Sequence, residues 1–368
     1  MFQHLDCLDQ SITKRIARVG KHCMYRWIYN ILIFFSRMLA IPVFFLWNRS
    51  YSANKMIVIP KNELSRRELL ADVTTDKKLL KSAACSGGHR LVIQTNSKSI
   101  LVLAFYRTRL FLPHMIDAGA SGLDLYQCGG NGNKWLTSIT PANKFQMCMK
   151  RKVSLPSESD KYVLYLPLYA GLTKLNIISA DGKDISLMDT GKNPIVVYGS
   201  SISQGCAASR SGLSYPNILS EFFNRDIINY GFSESARGQA DIIDKLSQID
   251  TDLIIMEYDH NADLRTLKNT HLNTYRIIRN NNLKALIVYM SRFSGSSCIS
   301  VDELEERKRI IKATVDYANG LGDHRVGLIL GDLSISENEK CFCDDRHPND
   351  RGMAIIANEI ISIVERMS

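Results

Sequence analysis

The chain has 368 residues, of which 45% are hydrophobic and 23% are charged, with 22 Gly and only 9 Pro. This length and composition exclude a disulfide mini-scaffold, a collagen-like chain and a chain that is disordered throughout, and they favour two globular domains. The net charge of +9 would suit a nucleic acid or an anionic membrane as partner if the basic residues were clustered on one surface.

Most of that charge lies in an N-terminal leader, residues 1–55. The leader contains eight basic and two acidic residues, so the rest of the chain carries a net charge of only +3 and gives no reason to expect a nucleic-acid partner. Residues 27–47 read WIYNILIFFSRMLAIPVFFLW, a run long enough to cross a hydrocarbon core and interrupted by one charge, Arg37.

The basic residues before this run favour a cytoplasmic N-terminus, with everything after residue 50 outside. We therefore expect the leader to be a signal anchor or a cleaved signal peptide, and the protein to be exported or anchored in the membrane through residues 27–47. The alternative is an amphipathic or buried N-terminal helix in a cytoplasmic protein, or a start codon assigned too far upstream.

Seven cysteines follow the leader without regular spacing, and their odd number leaves at least one outside any disulfide. Cys341 and Cys343 have no neighbouring CxxC or histidine pair that would complete a metal site, so we interpret them as bystander thiols.

Residues 56–190 contain short apolar runs separated by polar and Gly-rich turns, a pattern typical of a β-sandwich. The predicted strands are 90–94, 100–106, 144–149, 162–168 and 172–179.

Residues 191–368 alternate continuous apolar runs with segments of helical period. The predicted strands are 195–199, 226–231, 253–258, 285–290 and 326–330, and the predicted helices are 214–224, 237–247, 263–280, 302–319 and 351–366. Strand-helix alternation predicts an α/β fold, a three-layer α/β/α domain around a parallel sheet of flavodoxin-like type, placed after the small β-sandwich. Functional side chains in such a fold collect beyond the carboxyl ends of the strands.

Four polar blocks follow these strands or lie near the C-terminus. They are GSSISQG (199–205), NYGFSES (229–235), DHNA (259–262) and DDRHPND (344–350). A serine among small residues in a strand-to-helix turn can be presented as a nucleophile.

The order of a serine, a Gly-bearing turn, an asparagine and an Asp-x-x-His-Pro block resembles the SGNH (GDSL-type) hydrolases. Residues 122–126, GLDLY, are similar to the Gly-x-Asp-Leu-Tyr motif of a subgroup with an N-terminal β-sandwich, and residues 165–169, YLPLY, fit the same subgroup. The resemblance covers roughly residues 56–366.

The resemblance implies that Ser201 is the nucleophile, His347 its general base and Asp344 the carboxylate that orients the imidazole. It also implies an oxyanion hole formed by the backbone N–H groups of Ser201 and Glu234 and the amide of Asn261, with no metal and no cofactor. Glu234 stands where many members have glycine. A glutamate does not enter the positive-φ region as glycine does, and its carboxylate would oppose an oxyanion unless it points away.

Three further residues are candidates for substrate binding. Arg292 follows the fourth strand of the predicted parallel sheet, where it would lie at the mouth of the site. Asp124 and Tyr126 either line the substrate site or tie the sandwich to the catalytic domain.

These residues lead to the hypothesis of a serine esterase that removes an acyl group, with acetyl expected, from a carbohydrate or another hydroxylated substrate through an acyl-enzyme on Ser201. One alternative is an acyltransferase that uses the same triad. The other is a carbohydrate-binding relative without catalysis, in which Glu234 marks a decayed oxyanion hole.

Overall fold

The computed structural model describes residues 55–64, 73–130, 132–143, 145–156, 159–293, 299–331 and 339–367. Residues 1–54 of the predicted leader, with the apolar run 27–47, lie outside the described residues. Within them, no helix is both long enough and apolar enough to cross a membrane.

The first half of the chain folds into two antiparallel sheets. Its strands are β1 (Met56–Val58), β2 (Arg90–Thr95), β3 (Ser99–Arg109), β4 (Leu123–Gln127), β5 (Lys134–Ile139), β6 (Cys148–Ser154), β7 (Lys161–Tyr165), β8 (Ala170–Ser179) and β9 (Ile185–Met188). One sheet has the order β1-β8-β3-β6 and the other has the order β5-β4-β7-β2-β9. Apolar side chains from both sheets, among them Leu91, Val102 and Leu175, pack in one buried cluster, which makes this half a β-sandwich.

Helices also occur in this half, although the sequence pattern predicts few. They are α1 (Lys61–Leu64), α2 (Lys77–Ala83) and α3 (Asp117–Ala120). Helix α2 begins at Asp76, whose carboxylate accepts hydrogen bonds from the N–H groups of Lys78 and Leu79. Its Leu79 and Ala83 pack in the core of the second half of the chain, so α2 joins the two halves.

The strand predicted at 144–149 is wrong by four residues at its start, because β6 begins at Cys148. Among the described residues, strand β6 is an edge strand that pairs with β3 alone. The register from Ser99–Ser154 to Phe105–Cys148 includes its charged centre, Lys150, Arg151 and Lys152. An edge strand accepts such charged residues because they remain in water.

The second half forms a parallel five-stranded sheet with helices on both faces. Its strands are β10 (Ile195–Gly199), β11 (Ile227–Gly231), β12 (Leu253–Glu257), β13 (Leu286–Met290) and β14 (Val326–Ile329), in the order β11-β10-β12-β13-β14. Its helices are α4 (Ser201–Gln204), α5 (Tyr215–Phe223), α6 (Ala240–Ser247), α7 (Leu264–Asn281), α8 (Val301–Gly320) and α9 (Asp350–Met367).

Alternate residues of the central strand β10 face opposite layers. Val196 and Tyr198 pack with α6, α7 and α8, whereas Ile195 and Val197 pack with α5 and α9. This arrangement confirms the predicted three-layer α/β/α fold, and it brings the loops after β10, β11 and β12 to one edge of the sheet.

Candidate active site

Ser201 lies at the turn between the central strand β10 and the short helix α4. The Oγ atom of Ser200 accepts a hydrogen bond from the N–H of Ile202 and so caps this helix. At Gly199, an added Cβ atom would approach the Oγ of Ser203 to 2.1 Å, so only glycine permits this tight turn. The turn presents Ser201 at the carboxyl end of the sheet.

His347 and Asp344 meet Ser201 from the loop before α9. The Nε2 atom of His347 lies 2.9 Å from Ser201 Oγ, and its Nδ1 atom lies 2.8 Å from the Asp344 carboxylate. Burial opposes ionisation of Asp344, but the hydrogen bonds from His347 and Arg346 outweigh it and hold the pKa of this carboxyl below its usual value. The structure therefore brings together a hydroxyl, an imidazole and an ionised carboxylate, the arrangement that activates a serine.

Of the three predicted oxyanion residues, Ser201 and Glu234 line the pocket at the nucleophile turn, whereas Asn261 is not among its lining residues. Within the part of the chain that the structure describes, the backbone N–H groups of Ser201 and Glu234 make no hydrogen bond. The side-chain amide of Asn261 donates a hydrogen bond to the carbonyl of Phe232, 2.9 Å away, which ties the loop after β12 to the loop after β11. Among the described residues this amide donates no other hydrogen bond, so its second N–H is available as a donor.

The expectation that Glu234 would avoid the positive-φ region is wrong. Its φ is 59°, in the left-handed region, and its side chain is exposed to water. The backbone N–H is therefore presented as a glycine would present it, at a cost of about 1–3 kcal/mol for a non-glycine residue. Exposure of the carboxylate to solvent weakens its repulsion of a developing oxyanion.

Glu257, at the end of β12, lies fully buried beneath the nucleophile turn. Its carboxylate accepts hydrogen bonds from the hydroxyls of Ser200 and Ser203, at 2.8 and 2.7 Å, and its Oε1 atom lies 2.9 Å from His260 Nδ1. Burial opposes the charge, but these contacts hold the pKa of Glu257 below its usual value. The turn that carries Ser201 is thus fixed by a buried anion.

Two polar side chains connect the sandwich to the nucleophile. Tyr169, from the YLPLY block, donates a hydrogen bond to the carbonyl of Ser201 at 3.3 Å, and its hydroxyl lies 2.7 Å from Ser233 Oγ. The Oε1 atom of Gln204 accepts hydrogen bonds from the hydroxyl of Ser82 in α2 and from the backbone N–H of Ser233. Sequence reasoning assigned these residues no role in the site, although the YLPLY block was a signal for Tyr169.

A second histidine and a cysteine lie beside His347. The ring of His114 stacks on that of His347, with centroids 4.9 Å apart and planes 4° from parallel, and its Nε2 atom lies 2.9 Å from the Sγ atom of Cys206. Burial, together with the nearby His347, lowers the pKa of His114 below its usual value, and burial raises the pKa of the Cys206 thiol to about 12. Neither residue belongs to a recognisable motif, and the sequence analysis missed both.

A pocket of about 320 Å³ opens at Ser201 between the two halves of the chain. The sandwich half supplies an apolar wall, Leu110 and Leu112, and the exposed ammonium groups of Lys78 and Lys81 lie at its rim. The second half supplies Ser201, Gln204, Cys206, Ser233, Glu234 and His347.

Asp124 and Tyr126 do not line this pocket, so the substrate-lining alternative for them is wrong. Asp124 is completely buried, and its carboxylate accepts hydrogen bonds from Trp135 Nε1 and from the backbone N–H of Gly212. The hydroxyl of Tyr126 accepts a hydrogen bond from Arg210. An added Cβ atom at Gly212 would approach that hydroxyl to 2.2 Å. The GLDLY block therefore holds the sandwich against the catalytic half.

Arg292 also lies outside the residues that line the pocket. Its backbone N–H donates to the Asp259 carboxylate at 2.7 Å, and its guanidinium donates to the carbonyl of His260 at 2.8 Å. Asp259 in turn pairs with the buried Arg307 at 2.8 Å. These contacts fix the loop that carries Asn261, which gives Arg292 a positioning role rather than a place at the mouth of the pocket.

Among the described residues, no disulfide joins the cysteines Cys85, Cys128, Cys148, Cys206, Cys341 and Cys343.

Two family models match the chain along nearly all of its described length. Residues 53–185 match the model described as the N-terminus of Esterase_SGNH_hydro-type, and residues 192–365 match the GDSL-like Lipase/Acylhydrolase family. The chain belongs to the SGNH (GDSL-type) hydrolase family. It is an enzyme of the carboxylic ester hydrolase class and carries the N-terminal GxDLY module of its subgroup.

Solved structures of this fold include several esterases. A protein described as a GDSL-like lipase, from Bacteroides ovatus ATCC 8483, is 22% identical with a TM-score of 0.75, and the match covers 85% of this chain and 98% of that one. The salicylyl-acyltransferase SsfX3 from a tetracycline biosynthetic pathway is 16% identical, with a TM-score of 0.65 and coverage of 83% and 91%. A family two carbohydrate esterase from Clostridium thermocellum, in complex with cellohexaose, is 14% identical, with a TM-score of 0.54 and coverage of 75% and 91%.

At these identities the structures show a shared fold. A search of curated proteins gives no match.

Proposed function

We propose that this SGNH hydrolase is a serine esterase that removes a short acyl group, acetyl above all, from a hydroxyl of a carbohydrate. The observation that carries the proposal is the continuous hydrogen-bonded path from Ser201 Oγ through His347 to Asp344, at 2.9 and 2.8 Å, at the edge of a pocket. A binding protein without catalysis would have no need for such an aligned set.

The reaction follows from these positions. His347 Nε2 takes the hydroxyl proton as Ser201 Oγ attacks the ester carbonyl, and Asp344 stabilises the imidazolium. The oxyanion accepts hydrogen bonds from the N–H groups of Ser201 and Glu234 and from the amide of Asn261. His347 then protonates the departing sugar hydroxyl, and a water molecule, deprotonated by the same imidazole, releases the acyl group from Ser201.

The size of the pocket supports a short acyl group. Its volume of about 320 Å³ is near the lower limit of small-molecule sites, which span roughly 300–1,000 Å³. Leu110 and Leu112 offer an apolar wall to a methyl group, while the open polar rim suits the hydroxyls of a sugar. The carbohydrate esterase of the same fold, in complex with cellohexaose, supports a glycan as the alcohol part.

Labelling with a fluorophosphonate probe and turnover of p-nitrophenyl acetate test this proposal. We expect the full-length protein to be labelled and to hydrolyse the ester, and we expect Ser201→Ala to lose both. Ser362→Ala, on the exposed outer side of α9, is the matched control and should keep both.

Labelling that persists in Ser201→Ala would contradict the nucleophile assignment. If the protein is labelled but turns over the ester only when an alcohol is added, it is an acyltransferase rather than an esterase. Absence of labelling in the folded protein would favour the non-catalytic alternative.

For the leader, we propose that residues 1–55 direct the catalytic part out of the cytoplasm. Fusion of this segment to a reporter that is active only in the periplasm tests the proposal. An active reporter is expected, and a silent reporter would favour the cytoplasmic alternative.

A further inference from the structure

We propose that His114, Cys206 and His347 form a binding site for a divalent cation of the zinc class, and that an ion bound there switches the esterase off. One ligand atom from each of these three residues, hereafter the His-Cys-His cluster, lies within 4.8 Å of the other two. Ester hydrolysis by the triad uses His347 but neither His114 nor Cys206. The approach of this second imidazole and thiol to His347 therefore needs another explanation.

The spacing of the cluster is close to that of a zinc site. Ligand atoms that share a tetrahedral Zn²⁺ at 2.0–2.3 Å are roughly 3.5 Å apart. His114 Nε2 and Cys206 Sγ are 2.9 Å apart, and the remaining pairs are no more than 4.8 Å apart. Each imidazole lone pair lies in its ring plane, so the two stacked rings must also turn until both planes meet at the ion. His114 and His347 are both partly exposed, which allows such side-chain rotation.

The chemistry of the donors selects the ion. Two imidazole nitrogens and one sulfur suit Zn²⁺ or another borderline-soft cation rather than Mg²⁺ or Ca²⁺, which prefer oxygen ligands. Binding forms a bond between the metal and Cys206 Sγ, and the thiol proton is released to solvent. Three protein ligands leave the fourth position for water, as in zinc sites that remain open to the solvent.

Asp344 already accepts the kind of hydrogen bond that a zinc-binding histidine commonly donates from its second ring nitrogen. A metal-bound histidine commonly donates its other ring N–H to a carboxylate, which fixes its orientation and raises its basicity. In the structure, the carboxylate of Asp344 holds Nδ1 of His347, so Nε2 is the atom left for the ion. The same Nε2 must accept the proton of Ser201, 2.9 Å away, so metal and catalysis compete for one lone pair.

The ligands come from both halves of the chain. His114 lies between β3 and α3 of the sandwich half, whereas Cys206 and His347 belong to the catalytic half. All three residues line the pocket, so a bound ion would also clamp the sandwich loop that carries His114 over it. The inhibitory effect rests on the proposed esterase function, but binding of the ion does not.

Direct binding to the full-length protein is the first test. Competition between the protein and a chromophoric chelator for Zn²⁺ should show one site whose affinity falls at least about tenfold in Cys206→Ala and in His114→Gln, since each change removes one of three ligands. Cys128→Ala and His324→Gln, a cysteine and a histidine outside the cluster, are matched controls and should bind as the parent protein does. Equal affinity in all five proteins would overturn the site.

Cobalt gives a spectroscopic signature of the sulfur ligand. Co²⁺ in the parent protein should show a charge-transfer band from thiolate to metal, and this band should disappear in Cys206→Ala and persist in Cys128→Ala. A band that persists in Cys206→Ala would place the ion elsewhere. Circular dichroism of each variant verifies that the loss of the band does not reflect unfolding.

Inhibition is measured separately from binding. We expect Zn²⁺ to abolish ester hydrolysis, a chelator to restore it, and Cys206→Ala to require at least about tenfold more Zn²⁺ for the same fractional inhibition. Binding through the cluster without inhibition would overturn the switch. Binding through the cluster in a protein that never hydrolyses an ester would leave the metal site standing and count against the proposed function alone.

Discussion

The buried carboxylate of Glu257 accepts hydrogen bonds from both the hydroxyl and the backbone N–H of Ser200, at 2.8 and 3.1 Å. Ser200 directly precedes the nucleophile, so this contact sets the direction in which Ser201 leaves the strand. A charge in the protein interior is stable only when it is fully paired. Here His260 and two serine hydroxyls complete the pairing, and the position of Ser201 depends on an anion that never meets the substrate.

Glu257→Gln removes the charge and replaces one acceptor oxygen with a donor that faces other donors. We expect the free energy of unfolding to fall by about 3–5 kcal/mol, the usual effect of breaking a buried pair, and ester hydrolysis to fall with it. Denaturant unfolding measures the loss of stability, and turnover of p-nitrophenyl acetate measures the loss of ester hydrolysis. Glu359→Gln, on the exposed side of α9, is the control, and an equal stability of the two variants would contradict the role of Glu257.

The same carboxylate predicts how stability depends on pH. Its hydrogen bonds hold the pKa of Glu257 below the value near 4.5 that applies to an unfolded chain. Above pH 4.5 both states are ionised and the contribution is complete. As the pH falls below 4.5, the unfolded chain binds the proton first, so this contribution is lost. The unfolding free energy of the parent protein should therefore fall between pH 5 and 3 more steeply than that of Glu257→Gln, and parallel curves would contradict the assignment.

Asp344→Asn should leave the fold intact and impair catalysis. Without the carboxylate, His347 no longer has a partner that fixes its tautomer or stabilises its imidazolium, and we expect a fall in kcat on the order of 10³–10⁴-fold. The adjacent Asp345→Asn is the control, because Asp345 is exposed and pairs with Arg346 on the surface. Single-turnover acylation rates check the prediction, and a larger loss in Asp345→Asn would reverse the two roles.

The parallel sheet could be predicted from sequence because its central strands β10, β12 and β13 are buried on both faces and read as nearly continuous apolar runs. Strand β5 could not, because half of its residues are polar and most of them are at least partly exposed. The order of the four blocks marked Ser201, Asn261 and His347. It could not mark His114, which reaches the site through the packing of one half of the chain on the other.

Sequence reasoning also could not identify residues that hold the site in place without lining the pocket. Glu257 lies near the end of the apolar strand predicted at 253–258, and only the fold shows that its carboxylate faces the turn after β10. Arg292 reads as a residue at the mouth because it follows a strand, but its guanidinium donates to the carbonyl of His260 within the same loop cluster. Strand-end position predicts nearness to a site but not the direction of a side chain.

The backbone of Glu234 predicts a difference between two small replacements. Glu234→Gly and Glu234→Ala both remove the carboxylate, but only glycine adopts a φ of 59° without strain. We expect Glu234→Gly to be more stable than Glu234→Ala by about 1 kcal/mol, as measured by urea unfolding. Fluorophosphonate labelling should persist in both, because the backbone N–H remains. Equal stability of the two variants would mean that position 234 does not hold the left-handed conformation in solution.

Asp124→Asn separates a structural role from a role in substrate binding. The buried carboxylate accepts hydrogen bonds from Trp135, Ser138 and the N–H of Gly212, and an amide can satisfy these donors with only one of its two polar atoms. We expect the free energy of unfolding to fall by about 3 kcal/mol, while KM for a small ester stays within about twofold in the folded protein. Asp189→Asn, at an exposed position after β9, is the matched control, measured in parallel by denaturant unfolding and ester kinetics. A rise in KM at unchanged stability would instead place Asp124 against the substrate, which its complete burial argues against.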